Sequence, residues 1–475
     1  MTPLRKTCAW LAPLLLAACA SPTAPPPPGA TAVPAQWQAP LPHHGDLADL
    51  GHWWQKLGDP VLVELVEAAQ QASPTLASAR SRVEQARAAR ATARAALGPT
   101  LDASASASRG NADDPGRSPV TLTQVGAQAG WEIDLFGANR QAAQAADARL
   151  EGASALWHDA RVSVAAEVAN QYFSRRACER LLAVSQSDSG SRQQTARLSE
   201  LSANAGFTAP GTAALARASA AEARARLTQQ QAACDLDLKA LVALTAMAEP
   251  DLKQKLAGVQ ASRPQDALFS IASLPAQVVA QRPDVFNAER EVMAAAAELG
   301  QARALRLPRL SLNGSISAGA VRVGGNSTDF QTWSLGPLSL NLPLFDGGRR
   351  RANVDAAQAR YEEAVALYTA RVRQAVREVE EALVTLQSTA DRSSDAAVAT
   401  EGYRASFNAT ESRYQAGLAS LVELEDARRT ALAAETALVT LQRERAMAWT
   451  ALYRAAGGGW TPDAPAPTPV ASARP

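Results

Sequence analysis

The chain has 475 residues and a formal charge of +1, with 47 Lys+Arg against 46 Asp+Glu, which leaves no basic footprint for nucleic acid. Aromatic residues make up only 5% and alanine fills many apolar positions, the composition of closely packed helix rather than of a bulky core. Four histidines (His43, His44, His52 and His158) and the lack of a nucleophile elbow, phosphate loop, dinucleotide fingerprint or HExxH leave no constellation for catalysis, so no enzyme activity, cofactor or metal site is expected.

In chain order, Arg5 and Lys6 precede a short apolar run, Leu11–Leu16, and then Leu16-Ala17-Ala18-Cys19. This predicts an export signal over residues 1–18, too short to span a bilayer. Prolines crowd residues 19–45 and again 461–475, which read as an extended tether and a disordered tail.

Between these ends the sequence repeats itself. Pro74, Pro99, Leu101, Leu135-Phe136 and Arg140 recur as Pro283, Pro308, Leu310, Leu344-Phe345 and Arg349, at an offset of 209. Ala148-Arg149, Ala205-Gly206 and Ala216-Arg217 recur as Ala359-Arg360, Ala416-Gly417 and Ala427-Arg428, at an offset of 211. The two repeats occupy 46–262 and 263–460, and a period of that length marks duplicated architecture.

Each repeat predicts the same series. An Ala-rich helix comes first (about 61–97 and 276–306), then two alternating segments (about 101–109 with 121–135, and 310–321 with 331–345), then a very long helix and a shorter one. Leu310, Leu312 and Ile316 fall on one face and Ser311, Asn313, Ser315 and Ser317 on the other, while Leu338, Leu340, Leu342 and Leu344 alternate with Ser339, Asn341 and Pro343. A period of two with one polar face predicts strands. Gly110–Pro119 and Gly324–Asp329 read as the loops between them.

The long helix of the second repeat carries two heptad rows, Val354, Tyr361, Tyr368, Ala375 and Ala382 beside Val365, Val372, Val379 and Leu386, a coiled-coil seam. In the first repeat the long helix runs over 63 residues, Gln141–Ala203, which is about 95 Å and too long for a compact domain. The repeats therefore predict long two-layered hairpins.

Strands of about ten residues cross a membrane when tilted, and a spanning sheet must close because an edge in lipid leaves backbone groups unpaired. Four strands cannot close, so several chains share one barrel: two would supply about eight strands and three about twelve. Trp131, Phe136, Phe330, Trp333 and Phe345 flank the segments as a membrane-interface belt would. A soluble pair of β-hairpins packed on helices is the competing reading.

The Ala-Gly pairs at 205–206 and 416–417 interrupt the long helices and mark hairpin tips, where glycine permits the turn. Just past the second tip, Glu423 and Asp426 share one helix face. In a ring of copies they make carboxylate rings that favour cations; two solvated surface acids are the alternative. Cys178 lies 28 residues before Gly206 and Cys234 lies 28 after it, the same height on antiparallel helices, which predicts a disulfide in an oxidising compartment if the Cα atoms approach within about 7 Å.

Four motifs carry a resemblance: Trp131-Glu132-Ile133-Asp134-Leu135-Phe136-Gly137, Gln281-Arg282-Pro283-Asp284-Val285, Pro343-Leu344-Phe345-Asp346-Gly347-Gly348 and Gly457-Gly458-Gly459-Trp460. Together they resemble the outer-membrane factor family, TolC/OprM-like channels, and within it the NodT-type lipoproteins of multidrug efflux systems. The resemblance implies an α+β membrane protein: a homotrimer with a twelve-stranded transmembrane β-barrel, four strands per chain, continuous with a long periplasmic α-helical coiled-coil barrel. It implies a passive exit duct in the outer membrane for drugs and other toxic small molecules, docked to a periplasmic adaptor and an inner-membrane RND-type pump. The Leu16–Cys19 tetrapeptide resembles a lipobox, implying cleavage before Cys19 and lipid on its sulfur, with Ala20 resembling the outer-membrane sorting pattern.

The resemblance also implies gate roles for Glu423 and Asp426 and a tip-latching aromatic at Tyr414. Gly206 and Gly417, with Arg197 and Arg413 before them, are candidate adaptor contacts, against plain turn and solvated-charge roles. Ala419 stands where some relatives carry a latching Arg, and Thr212 where some carry an acid, so no closed-state salt bridge carries over. A protein-secreting conduit of the same shape and a lipid-anchored periplasmic scaffold without a pore remain as alternatives.

Overall fold

In a computed structural model of the chain, residues 34–39, 53–110, 119–257 and 275–462 are described. The export signal, Cys19, most of the tether, the tail, nearly all of the Gly110–Pro119 loop and the inter-repeat segment 258–274 lie outside them. The first repeat supplies α1 (Trp53–Lys56), α2 (Pro60–Ala72), α3 (Pro74–Ala95), β1 (Thr100–Gly110), β2 (Val120–Ile133), α4 (Ala138–Asn204), α5 (Pro210–Thr245) and α6 (Glu249–Ala257). The second supplies α7 (Pro275–Ala280), α8 (Pro283–Ala304), β3 (Arg309–Val323), β4 (Asn326–Asn341), α9 (Arg349–Gln415) and α10 (Leu421–Ala455).

The first Ala-rich stretch is two helices rather than one. Pro74 has no N–H to continue α2, and Ser73 both ends that helix and caps the next, accepting from Leu76 N at 3.3 Å. The two long helices, α4 and α9, have 67 residues each, about 100 Å at 1.5 Å per residue. Each starts at a glycine with positive φ (Gly137 at 80°, Gly348 at 88°), and an aspartate just upstream takes the orphan amides. Asp134 accepts from Asn139 N and Arg140 N at 3.2 and 2.8 Å; Asp346 accepts from Gly348 N and Arg350 N at 3.1 and 3.2 Å.

The four strands form one antiparallel sheet in the order β1-β2-β3-β4. The ladder puts Leu101, Ala129 and Gly314 in one row with Leu335, and Ala103, Ala127, Ile316 and Trp333 in another, on a single apolar face. The opposite face carries Ser104, Ser106, Gln124, Gln128, Ser315 and Ser334. β4 begins at Asn326, not near 331. The stretch read as a loop is a two-residue turn, with Gly324 and Gly325 both at positive φ (55° and 91°), and Asn326–Asp329 pair with Ala320–Val323. Gly336-Pro337 bulges opposite Asn313 and switches the faces of β4, so Leu335 and Leu338 lie on the same side.

Two of the five aromatics expected in an interface belt are placed differently. Phe330 pairs with Gly319 on the polar face, its ring lying where a Gly319 β-carbon would meet it at 2.8 Å. Trp333 is on the apolar face but at mid-strand, across from Ile316. Trp131, whose indole N–H donates to Leu97 O at 3.0 Å, and Phe136 and Phe345 stand at the helix-facing end.

Each strand continues a helix in the same lateral order. α3, α4, α8 and α9 pack side by side in that order, leading into β1, out of β2, into β3 and out of β4. Toward the other end the order is α5, α4, α10, α9. The heptad residues Val372, Ala375, Val379, Ala382 and Leu386 are buried in the packed middle.

That middle holds the main core. Trp53 stacks on Tyr453 at 4.8 Å, and Tyr172 is buried with its hydroxyl donated to Asp59. Burial and this bond to Asp59 raise the Tyr172 phenol above its ordinary range. The Gln281–Val285 and Gly457–Trp460 motifs meet there. Arg282 binds Asp284 with both nitrogens (3.0 and 2.9 Å), Ala455 O at 3.0 Å and Glu378 at 2.8 Å, and Trp460 packs edge-on against Phe286. The N-terminal stretch is tied to the same zone: Gln38 N and Ala39 N donate to the two oxygens of Glu380 at 2.7 and 2.8 Å.

Candidate gate at the helix tips

The two hairpins end in tips of one design. After α4, Gly206 (φ 79°) donates to Ala203 O at 3.0 Å and Phe207 N to Ser202 O at 2.9 Å. After α9, Gly417 (φ 73°) donates to Tyr414 O at 2.9 Å and Leu418 N to Arg413 O at 2.8 Å. Both are Schellman closures that need a left-handed residue at the glycine. The next residue protrudes: Phe207 is 85% exposed and Leu418 70%.

The second tip is tied further by a capping box. Ser420 Oγ accepts from Glu423 N at 3.2 Å, and the Glu423 carboxylate accepts from Ser420 N at 2.6 Å. Those bonds from Ser420, with Arg413 nearby, hold the Glu423 carboxyl below its usual range. Asp426 shares the exposed face and pairs with Arg429 one turn on. Both acids are thus solvent-facing beside the tip, one fixed by a cap and one partly neutralised. Tyr414 OH lies 3.1 Å from Ser199 Oγ and links the two hairpins, while Arg413 donates to Leu418 O at 3.1 Å within its own tip. Arg197 is exposed and Thr212 half-buried. Higher up, Cys178 and Cys234 form a disulfide between α4 and α5, Cα atoms 5.5 Å apart.

A group of charged residues absent from the sequence reading lies a few turns above the tips. Arg192, with its side chain 7% exposed, binds Asp188 at 2.9 Å, Ser219 Oγ at 2.5 Å and the Glu425 carboxylate. Arg428, 3% exposed, binds Glu425 at 2.6 Å, Ser191 at 2.9 Å and Thr195 at 3.2 Å. Glu411 accepts from Ser191 at 3.0 Å and faces Arg428 at 3.7 Å, and the guanidinium lies over the Phe407 ring. Burial moves the Arg428 guanidinium below its ordinary range, against the pull of Glu425.

An open antiparallel sheet with one apolar face, continued by helices of about 100 Å, is the frame of a membrane duct. Comparison with known proteins decides the class. The pattern of the family described as outer membrane efflux protein matches residues 65–247 and 274–458. The chain belongs to the outer membrane efflux protein family. It is 32% identical over 469 residues to the pyoverdine export outer membrane protein OpmQ of Pseudomonas aeruginosa, covering 95% of this chain and 96% of that one. It is 30% identical over 410 residues to the solvent efflux pump outer membrane protein SrpC of Pseudomonas putida, covering 85% and 86%. The solved structure of the outer-membrane channel OprN superimposes with a TM-score of 0.82 at 28% identity, over 92% of this chain and 99% of that one.

The channel is accordingly an outer-membrane efflux component that projects into the periplasm. Three copies, four strands each, build its twelve-stranded barrel. The open edges β1 and β4 run antiparallel to each other, so β4 of one copy meets β1 of the next and the ring closes with one ladder pattern throughout. The apolar sheet face then turns to lipid and the serine-rich face to the lumen.

Sequence reasoning missed Arg192, Glu425 and Arg428 because each has a same-helix partner three or four residues away, the pattern of solvated charge. Local sequence does not separate Arg428 from its repeat counterpart Arg217, which is exposed although Ala213 and Ala220 flank it as Leu424 and Ala431 flank Arg428.

Proposed function

We propose that the channel is the passive exit duct of a tripartite efflux assembly, taking amphipathic toxic small molecules from an RND-type inner-membrane pump through a periplasmic adaptor and gating them at its helix tips. The observation that carries this reading is that every strand adjoins a helix in one lateral order, with β2 and β4 leading into the 67-residue α4 and α9, which supports one lumen from the membrane to the tips. Glu423 and Asp426, three copies of each, form a cation-preferring constriction at the far end. The protruding Phe207 and Leu418, beside Gly206, Gly417 and Arg413, offer the adaptor an apolar rim, and Arg197 lies about two and a half turns above. Tyr414 helps hold the tip closed through Ser199. With Ala419 and Thr212 at the positions where relatives latch by charge, the gate relies on this and other contacts.

The domain boundaries follow the same reading: signal 1–18, tether 19–45, repeats 46–262 and 263–460, tail 461–475. Cys19 carries lipid, which supplements the hold of the barrel on the membrane.

Purified trimer in a planar bilayer tests the duct. Stepwise, cation-selective conductance is expected, and a silent membrane would favour the scaffold alternative. Labelled palmitate in cells tests the anchor, with incorporation into the parent and none into Cys19→Ala.

A further inference from the structure

We infer that the far end of the barrel is a docking surface for phosphorylated glycolipid of the outer leaflet, whose phosphates are taken by Arg109 and Arg322 on the lipid-facing side of the sheet.

Side chains alternate between the two faces along every strand, so the ladder register fixes the side on which each residue lies. On the lipid face, the rows run from Ile133, Leu310 and Leu340 at the helix end to Ala105, Val125 and Ala318 without a charge. The next row carries Thr123 and Asp329, and the one after it Arg109, Thr121, Arg322 and Ser327. The lumen face changes in the opposite sense. It is rich in serine and glutamine over most of its length, but toward the far end Leu122 pairs with Val321 and Val120 with Val323. Polarity therefore inverts over the last rows. Cations that needed only water would be served by the lumen side; here aliphatic residues take that side and both arginines take the other.

The level of the arginines fits a head group. Two residues at about 3.3 Å each, on a strand tilted by about 40°, advance about 5 Å along the membrane normal per row. Ile133 and Thr121 are 12 residues apart on β2, which places the arginine row about 30 Å from the first apolar row. That is just outside an apolar band of about 25 Å, where lipid phosphate rather than hydrocarbon meets a cation.

The arginines are also available. Arg309, on the lumen face at the helix end, faces Glu132 at 3.6 Å, whereas Arg109 and Arg322 have no ion pair among the described residues. Thr121 stands between them, and strands β1 and β3 are about 10 Å apart, so each guanidinium can fork onto a phosphate of its own. Asp329, one row in and diagonal to Arg322, offsets part of the charge, which leaves each copy two arginines against one aspartate on this face. Neighbouring copies join at the β1 and β4 margins and leave the face itself open, with Arg322 on an interior strand.

Full-length trimer in detergent, titrated with diphosphoryl lipid A and followed by native mass spectrometry, tests this. Arg109→Gln with Arg322→Gln is expected to weaken binding about fivefold or more, the factor for one cation near an anionic surface. Equal binding by the parent would overturn the inference; Asp113 and Asp114, which lie outside the described residues, would give that result if they were the partners of the arginines. Arg309→Gln, which removes a cation from the lumen face, is expected to bind within about twofold of the parent. A loss there as large as in the double variant would mean that net charge matters and place does not, and would also overturn it.

The parent alone decides if the double variant fails to assemble. Dephosphorylated lipid A is expected to bind it about fivefold or more weakly than the diphosphoryl form, and equal binding would overturn the inference. Inorganic phosphate is expected to displace no more lipid than chloride of the same ionic strength. Specific displacement by phosphate would assign the arginines to a free anion and overturn the lipid reading.

Discussion

A β-carbon on Gly457 would stand 2.2 Å from the carbonyl oxygen of Gln281, so the glycine after α10 and the turn before α8 are pressed together with no room for a side chain. Gly457 also sits at φ 80°, which alone costs a non-glycine residue about 1–3 kcal/mol. Gly457→Ala is therefore expected to lower stability by more than that and to reduce the yield of trimer. Gly402→Ala, within α9 with open space around it, should be neutral or stabilising by about 0.5–1 kcal/mol. Thermal melting of both variants checks the pair.

Arg282 is held by Asp284, Glu378 and a carbonyl, and little of it meets water. Arg282→Met removes the cation and leaves Asp284 buried beside it, an expected loss of about 3–5 kcal/mol. The same pair predicts a pH dependence. Burial pushes the Asp284 carboxyl up, but the Arg282 bonds and charge, with Arg371, outweigh it and hold the group below the usual value. Its contribution is present in full above the unfolded-state pKa, about 3.9, and is lost as pH falls through the lower folded-state value. Urea unfolding from pH 7 to acid should show this decline, and it should be shallower in Arg282→Met.

The capping role of Glu423 and the selectivity role proposed for its charge can be separated by chemistry. Glu423→Gln keeps a side-chain acceptor for Ser420 N, so the cap survives while the charge goes. Glu423→Ala removes both. Reversal potentials should show weaker cation preference in each, and more so with Asp426→Asn added. Melting should show a loss of about 0.5–2 kcal/mol, the range for a lost cap, only in the alanine variant. Unchanged selectivity in Glu423→Gln with Asp426→Asn would remove both acids from the gate.

The Cys178–Cys234 bond closes a sequence separation of 56 residues. For a loop of that size, the unfolded-state entropy argument gives a stabilisation of about 4 kcal/mol. The hairpin is already aligned by packed helices, so this is an upper bound. Melting of Cys178→Ser with Cys234→Ser against the parent, under non-reducing conditions, measures it.

The repeat, the long helices, the strands and both tips were legible in the sequence, because each is a local signal: a Pro-Gly punctuation, a period of two, a heptad row. The misreadings lay where two signals compete. Gly324–Asp329 has the composition of a loop, yet two glycines suffice for the turn and the polar residues after them extend the ladder. Phe330 looked like a belt aromatic because the bulge at Gly336-Pro337, which resets the faces of β4, gives no warning in the alternation upstream. At the second tip, the shared exposed face of Glu423 and Asp426 could be read from their spacing. Arg192, Glu425 and Arg428 could not, since only the meeting of the two hairpins, far apart in sequence, turns ordinary helix-surface charges into a buried group.

The free edges of β1 and β4 have a genetic corollary. Because every copy must lend both margins to its neighbours, a subunit that still assembles but is faulty is shared by the whole structure it joins. Mutations of that sort should behave as dominant in a cell carrying both alleles, whereas those that stop the sheet from forming should be recessive.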